Sequence, residues 1–438
     1  MGMKVGMVSL GCSKNRVDSE VLLGILSENG YEIVNDPREA EIVFVNTCGF
    51  IEPAKEESID AILEMADYKQ TGKLKKLFVT GCLSQRYPEE LRAELPEVDG
   101  FMGVSDYASV LQMMADAEKG LRPVRVGDGA RFLPNPRVLT TPGYTAYIKI
   151  SDGCDNRCTY CAIPLIRGSY RSRPYDDILR ECRELAARGV NELVFIAQDT
   201  SRYGNDFPEK TLLLPRLLRE ASRIEGVHWV RVLYCYPDTV TDELLREIRD
   251  NPKICPYLDL PLQHIDDDLL KAMNRRGDSA HIRRLIERCR HYGVLMRTTM
   301  IVGFPGETDE QFETLLKFVK EARFDRLGAF AFSPEDGTRA AEMPGQIDED
   351  VKQSRLDAIM MAQQEISLES NRARVGSVCE VLIEGEENGR YVGRSALEAP
   401  EIDGNVLVSS ERALAPGEYV RVKITDCDAY DLMGVIEE

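Results

Sequence analysis

No apolar run in the chain reaches the roughly 18 residues that a membrane-spanning helix needs, so no membrane partner is expected. The opening residues MGMKVGMVSLGC lack a basic stretch followed by an apolar segment and a cleavage site, and they read as a strand, not a secretory leader. There is no low-complexity tract and no solenoid repeat. Positive charge is also in deficit. Against 74 Asp and Glu stand 55 Lys and Arg, a net charge of −19. Such a surplus repels a nucleic-acid backbone, whereas proteins that bind one show a basic face. The composition, 43% apolar and 29% charged in 438 residues, is that of an ordinary soluble chain long enough for two or three domains.

Cysteine, in contrast, is plentiful, with twelve in the chain. Without a secretory signal these argue for a cytoplasmic protein whose thiols stay reduced, and some of them are then ligands, not disulfide partners. Three short apolar runs each end in a cysteine: VGMVSLGC at Cys12, IVFVNTC at Cys48 and KLFVTGC at Cys82. Amphipathic stretches lie between them, so residues 1–125 are expected to form a parallel α/β sheet domain with the three cysteines gathered at its carboxyl edge. Residues 126–144, rich in Pro and Gly, read as a linker. From 145 to 371 six candidate strands (TAYIKIS, LVFIAQD, WVRVLYC, YLDLPLQ, LMRTTMIVG, LGAFAFS) alternate with helical patterns, which predicts a partial (β/α)6 barrel. Residues 372–438 turn to β-branched runs broken by Gly, the pattern of a small antiparallel β-barrel.

Cys154, Cys158 and Cys161 follow directly on the first barrel strand with the spacing C-x3-C-x2-C. A structural zinc site or an ordinary iron–sulfur cluster takes four ligands. A cubane held by three thiolates leaves one iron free for a small molecule, here the amino and carboxylate groups of S-adenosylmethionine. Electron delivery through the cluster then cleaves the sulfonium and yields a deoxyadenosyl radical, with the cofactor doing the hard chemistry. The competing reading is a zinc knuckle. Cys12, Cys48 and Cys82 are by spacing as consistent with small core residues as with ligands; their shared strand-end position, with Gly11 and Gly81 before two of them, favours a second cluster. Cys182, Cys235, Cys255, Cys289, Cys379 and Cys427 have no partner spacing and receive no role.

Tyr160 stands just before the last cysteine of the loop. GFPGET at 303–308 closes the fifth strand, so its backbone N–H groups, around Gly303 and Gly306, face either a polar ligand or only a tight turn. Arg297 pairs with a carboxylate bidentately or is a surface charge. Arg167, Arg171 and Arg173 attract an acidic substrate group or form a solvated basic run. Gln198, Asp199, Gln263, His264 and Glu335 sit at or past strand ends, where a barrel builds its active face. Of these, Tyr160, Gln198, Arg297, Gly303 and Gly306 are the candidates to contact the cofactor; Asp199 and His264 are left without a single role.

The motifs LGCSKNRVDSE, VNTCGFI, TGCLSQRY, GCDNRCTYCAIPLIRGSYRSR, YLDLPLQH, IVGFPGET and SPEDGT together resemble the radical S-adenosylmethionine methylthiotransferase family over essentially the whole chain. GCSKNRVDSE, AQDTSRYG and PLQHIDD are most similar to the branch that modifies a ribosomal protein, and less to the branch that modifies tRNA. The resemblance implies methylthiolation of an aspartate β-carbon in small-subunit ribosomal protein S-twelve, giving 3-methylthioaspartate. It also implies two 4Fe–4S clusters, one on each cysteine set, two molecules of S-adenosyl-L-methionine consumed per turnover, an electron donor, and a TRAM domain at the C-terminus. The ribosome itself is a possible partner on this reading. Residues 372–438 carry 7 Lys and Arg against 14 Asp and Glu, a net of −7. An acidic domain suits a basic ribosomal protein and disfavours tRNA. The alternatives are a tRNA base methylthiotransferase and a non-catalytic iron–sulfur ribosome-binding factor.

Overall fold

The structure, a computed structural model, describes residues 2–104, 106–127, 132 and 137–437. Part of the expected linker, 128–131 and 133–136, lies outside the described residues. The first body is a sheet of six parallel strands, β1 (Lys4–Ser9), β2 (Glu32–Ile33), β3 (Ile42–Thr47), β4 (Lys76–Gly81), β5 (Gly100–Met102) and β6 (Val124–Arg125), in the order β2-β1-β3-β4-β5-β6. Strand β3 is buried at every position because both faces of the sheet are covered. Its Ile42 and Phe44 pack under Leu22 and Leu26 of the helix Ser13–Glu28, while Val43 and Val45 meet Ile62 and Met65 of the helix Glu52–Thr71. The neighbours β1, β3 and β4 are the strands that lead to the three cysteines.

The six sequence-predicted barrel strands all form. After β7 (Thr145–Lys149) comes a short antiparallel pair, β8 (Ser151–Asp152) and β9 (Arg171–Ser172), which brackets the cluster loop. Then follow β10 (Glu192–Ile196), β11 (Trp229–Val232), β12 (Tyr257–Asp259), β13 (Leu295–Val302) and β14 (Arg326–Ala331). Parallel pairing gives β7-β10-β11 and β12-β13-β14, joined by a bridge between Val230 and Ile254. Alternation decides the faces. In β13, Met296, Met300 and Val302 join the helix-side core, whereas Leu295, Arg297, Thr299 and Ile301 turn into the barrel.

A long helix, Glu349–Arg374, packs outside β13 and β14 and leads to a closed barrel of β15 (Val378–Glu387), β16 (Arg390–Ser395), β17 (Val406–Ser409), β18 (Tyr419–Cys427) and β19 (Leu432–Ile436). The expectation of an antiparallel barrel holds for every pair except β17 with β19, which run parallel. This barrel plugs the amino-terminal end of the large one. Arg394 enters beside β10 and meets Glu192 (Nη1 to Oε1, 2.8 Å), which also accepts from Arg231, and all three side chains are nearly inaccessible. Among the described residues no helix is long and apolar enough to cross a membrane.

Candidate functional site

Parallel strands end on one side, so Cys12, Cys48 and Cys82 emerge together past β1, β3 and β4. A Cβ on Gly11, where φ is +85°, would stand 3.0 Å from Cys48 Cβ, and a Cβ on Gly81 (φ +99°) would strike Asn46 Oδ1 at 2.2 Å. Both glycines are therefore required for the cysteines to come together. In the barrel, Gly153 (φ +73°) leaves no room for a side chain against Ser169 O, 2.2 Å from where its Cβ would be. The loop it opens is clamped on several sides. Asn274 Nδ2 donates to Asn156 O and Arg157 O at 3.2 and 2.9 Å, Thr159 Oγ1 donates to Ala272 O, and Asp199 accepts from Asn156 Nδ2 at 2.9 Å. Asp199 thus holds the cluster loop. Burial raises its carboxyl above the usual range despite those hydrogen bonds.

The first cysteine set comes up against the segment that follows the second. Cys82 packs with Ala162, the residue after Cys161, and with Ile166 and Val104. Arg167 is 1% exposed and donates to Asn15 Oδ1 at 2.7 Å, Asp18 Oδ2 at 2.9 Å and Asp152 Oδ2 at 3.0 Å, with Nη2 3.7 Å from Cys82 Sγ. Lys149 completes this buried network between Asp18 and Asp152. Neither sequence reading of Arg167 survives: it is not solvated and it faces no open substrate pocket, because the first domain folds over it. Arg173 is likewise tied to Glu181. At the other margin Arg86, in the short helix opened by Cys82, donates to Glu335 of SPEDGT at 2.7 Å, and Tyr87 donates to Asp336 at 3.0 Å. The first domain therefore grips the barrel mouth at both margins.

All twelve cysteines are free thiols. Burial pushes Cys82 up to about 12 despite Arg167, Cys154 up to about 11, and Cys161 higher still. Although its surroundings desolvate it, Cys12 is held below its ordinary range by Lys14 and Arg167. Thiols of this kind, one exposed, one buried and four half-buried, ionise when a metal takes the proton's place, so the donor set fits an iron–sulfur cluster. Among the described residues no three such side chains converge on a point as a single ion would need. A cubane asks instead for a ring of sulfurs, each on its own iron. Arg275 Nη1 stands 3.7 Å and Tyr236 OH 3.9 Å from Cys158 Sγ, with the guanidinium 4.0 Å over the Tyr236 ring. Sequence reasoning missed Arg275, Tyr236 and Asn274, since nothing in their spacing ties them to the cysteines.

The candidate cofactor contacts separate into three groups. Gln198 has both side-chain amide atoms buried with no partner among the described residues, as a group awaiting a ligand would. Tyr160 packs against the cluster of Phe304, Phe332 and Ala340 beneath the loop. Gly303 and Gly306 do not present free amides: Gly303 N donates to Glu307 Oε2 at 2.6 Å and Gly306 N to Gly345 O at 2.8 Å. The turn closes on itself because Glu307, fully buried between His264 Nε2 (3.1 Å) and Arg355 Nη1 (2.6 Å), needs every donor within reach. His264 Nδ1 accepts from Asp266 N, so its proton lies on Nε2 toward Glu307. Arg297 is brought elsewhere as well. It sits six positions before Gly303, inside the barrel, paired with Asp259 at 2.9 Å.

The partial barrel and its three-thiolate loop define a radical S-adenosylmethionine enzyme, and the radical SAM superfamily model matches residues 148–319. The uncharacterized protein family UPF0004 matches residues 4–103 and the TRAM domain residues 375–436. The chain is 50% identical to the ribosomal protein uS12 methylthiotransferase RimO of Thermoanaerobacter sp. (strain X514), over 98% of this chain and 99% of that one. It is 49% identical to the protein of the same name from Geobacter sulfurreducens, over 99% and 98%. A solved structure of the radical S-adenosylmethionine methyltransferase TsrM from Kitasatospora setae, with cobalamin and an iron–sulfur cluster bound, shares the fold at a TM-score of 0.58 and 16% identity, covering 92% of this chain and 83% of that one. The chain belongs to the RimO family of methylthiotransferases. Its cofactors are S-adenosyl-L-methionine and two 4Fe–4S clusters.

Proposed function

We propose that the protein works in the cytoplasm and methylthiolates the β-carbon of an aspartate in ribosomal protein uS12, the small-subunit protein S-twelve, giving 3-methylthioaspartate. The observation that carries this reading is the contact of Cys82 with the segment that follows Cys161, because sulfur transfer to a radical carbon requires both thiolate sets to open on one cleft. In this reading Cys154, Cys158 and Cys161 hold the cluster that binds S-adenosyl-L-methionine, and Cys12, Cys48 and Cys82 hold the auxiliary one. When bound, these groups supply reductive sulfonium cleavage and the transferable sulfur. The chain's own residues orient and shield. Asp199 and Asn274 fix the loop, Arg275 and Arg167 each place a guanidinium beside one thiolate, and Gln198 offers its unpartnered amide to the cofactor. The working units are 1–125, 145–371 and 372–438. The acidic charge of the last favours a basic protein over tRNA.

The test is incubation of reconstituted protein with uS12, S-adenosyl-L-methionine and a reductant, followed by peptide mass analysis. One aspartate gains a methylthio group. Cys154→Ala abolishes cofactor cleavage, while Cys48→Ala retains cleavage and transfers no sulfur. An unmodified uS12 together with loss of a methylthio base from the tRNA of a deletion strain overturns the reading.

A further inference from the structure

The last barrel strand, β14, pairs on one side only, with β13. Phe332 N donates to Val302 O at 2.9 Å. Alternation along a parallel ladder then turns the N–H and C=O of Leu327, Ala329 and Ala331 away from β13. No hydrogen bond meets those six groups among the described residues. Natural sheets protect such edges with lysine, proline or a covering element. The sequence of β14, RLGAFA, has no proline and no charge beyond Arg326.

Against this edge opens a cavity of about 180 Å³, walled by Arg297 of β13, Arg326 and Gly328 of β14, Gln363 of the long helix, and Asp403, which faces Arg297, and Tyr430 of the small barrel. Two polar atoms in its wall, Gln363 Oε1 and Arg326 Nε, are buried without a partner among the described residues, and Gln363 is only 3% exposed. Farther along the strand Phe330 is 54% exposed, and nothing lies within 4 Å of where a Cβ on Gly328 would stand. Glu365 on the helix and Asp428 on the small barrel are exposed, whereas Glu369 is paired with Arg323 and Glu401 with Arg16.

We propose that this edge is the docking site of the protein substrate: an extended segment bearing Lys or Arg adds to β14 as a further strand, with one side chain seated in the cavity. The proposal rests on the protein-methylthiolation reading and deepens it. Main-chain hydrogen bonds to Leu327, Ala329 and Ala331 supply affinity, the cavity supplies register, and the net charge of −7 on residues 372–438 beside it favours a basic segment. The path also leads to the chemistry. Six residues at about 3.3 Å each span some 20 Å, from the cavity to Phe332, which packs in one cluster with Phe304 beside Tyr160, the neighbour of Cys161.

Hydrogen exchange of the reconstituted holoenzyme with and without uS12 reads the docking directly. The amides of Leu327, Ala329 and Ala331 are expected to slow at least about tenfold, as newly paired amides do. Unchanged exchange there, with uS12 bound at saturation, overturns the proposal. A second measurement uses Ala329→Pro, which removes an outward N–H that the β13 ladder does not use. KM for uS12 rises about tenfold or more with kcat little changed, equivalent to the loss of a main-chain hydrogen bond, and Ala329→Ser, which keeps the N–H, restores the wild-type KM. Equal KM for Ala329→Pro and wild type overturns the docking edge, as does an equal loss in Ala329→Ser. If the wild-type enzyme leaves uS12 unmodified, the methylthiolation reading falls first and the docking edge with it; if wild type modifies uS12 and Ala329→Pro does so equally, only the docking edge falls.

Discussion

Arg167 shows how much a single side chain's meaning depends on what folds against it. In the sequence it is one of three arginines after the cluster loop. In the fold it is desolvated and compensated by Asp18 and Asp152, with Asn15 and Cys82 completing its shell. Removing one member of a buried ion network leaves the others uncompensated, at a cost of about 3–5 kcal/mol. Arg167→Met is therefore expected to lower the urea midpoint of the holoprotein by an amount equivalent to that cost. Gly81 makes the complementary case. Gly81→Ala forces a Cβ onto Asn46 Oδ1 and Thr47 O, at 2.2 and 2.5 Å, and displaces Cys82. Iron analysis after reconstitution should then show about half of the wild-type content, because one of two clusters is lost. Retention of full iron would overturn the assignment of Cys82 as a cluster ligand.

At the level of elements, the strands carried their own signal. Five of the six barrel strands are apolar runs ended by a polar residue or glycine, and each cysteine of the first domain follows a strand, so order and polarity were legible before any contact was known. The turn after β13 was not. GFPGET has the look of a loop that presents amides to a ligand, yet Glu307 folds back to take the Gly303 amide because His264 and Arg355, which lie 43 residues before it and 48 after it, converge on the same point. No local pattern announces such convergence. Glu307→Gln keeps the shape and removes the charge that Arg355 faces, so thermal unfolding should shift downward by the equivalent of about 2–3 kcal/mol. The capping box of Thr308 and Gln311, which starts the following helix, should remain intact in that variant.

The whole molecule is three bodies joined through buried charge. The small barrel is fastened by Arg394, which with Arg231 outweighs the cost of burial and holds Glu192 down at about 2, below its ordinary 4.5. The sign follows from linkage. A carboxylate whose folded value is depressed contributes stability that is complete above its unfolded value and is lost as pH falls through the folded one. Stability on the order of 3 kcal/mol should therefore disappear between about pH 4.5 and pH 2, measured as a falling denaturation midpoint, with Glu192→Gln flattening that slope. The sequence by itself determined the order and direction of the strands, the strand-end position of the two cysteine sets and the acidic C-terminal charge, because periodicity, spacing and composition are local quantities. Only the tertiary structure decided that Cys82 packs against the segment after Cys161, that Arg167, Glu307 and Glu192 are buried hubs, and that β14 keeps an open edge. Each of those depends on groups far apart in the chain, whose burial makes their charges and hydrogen bonds matter only once the bodies have closed on one another.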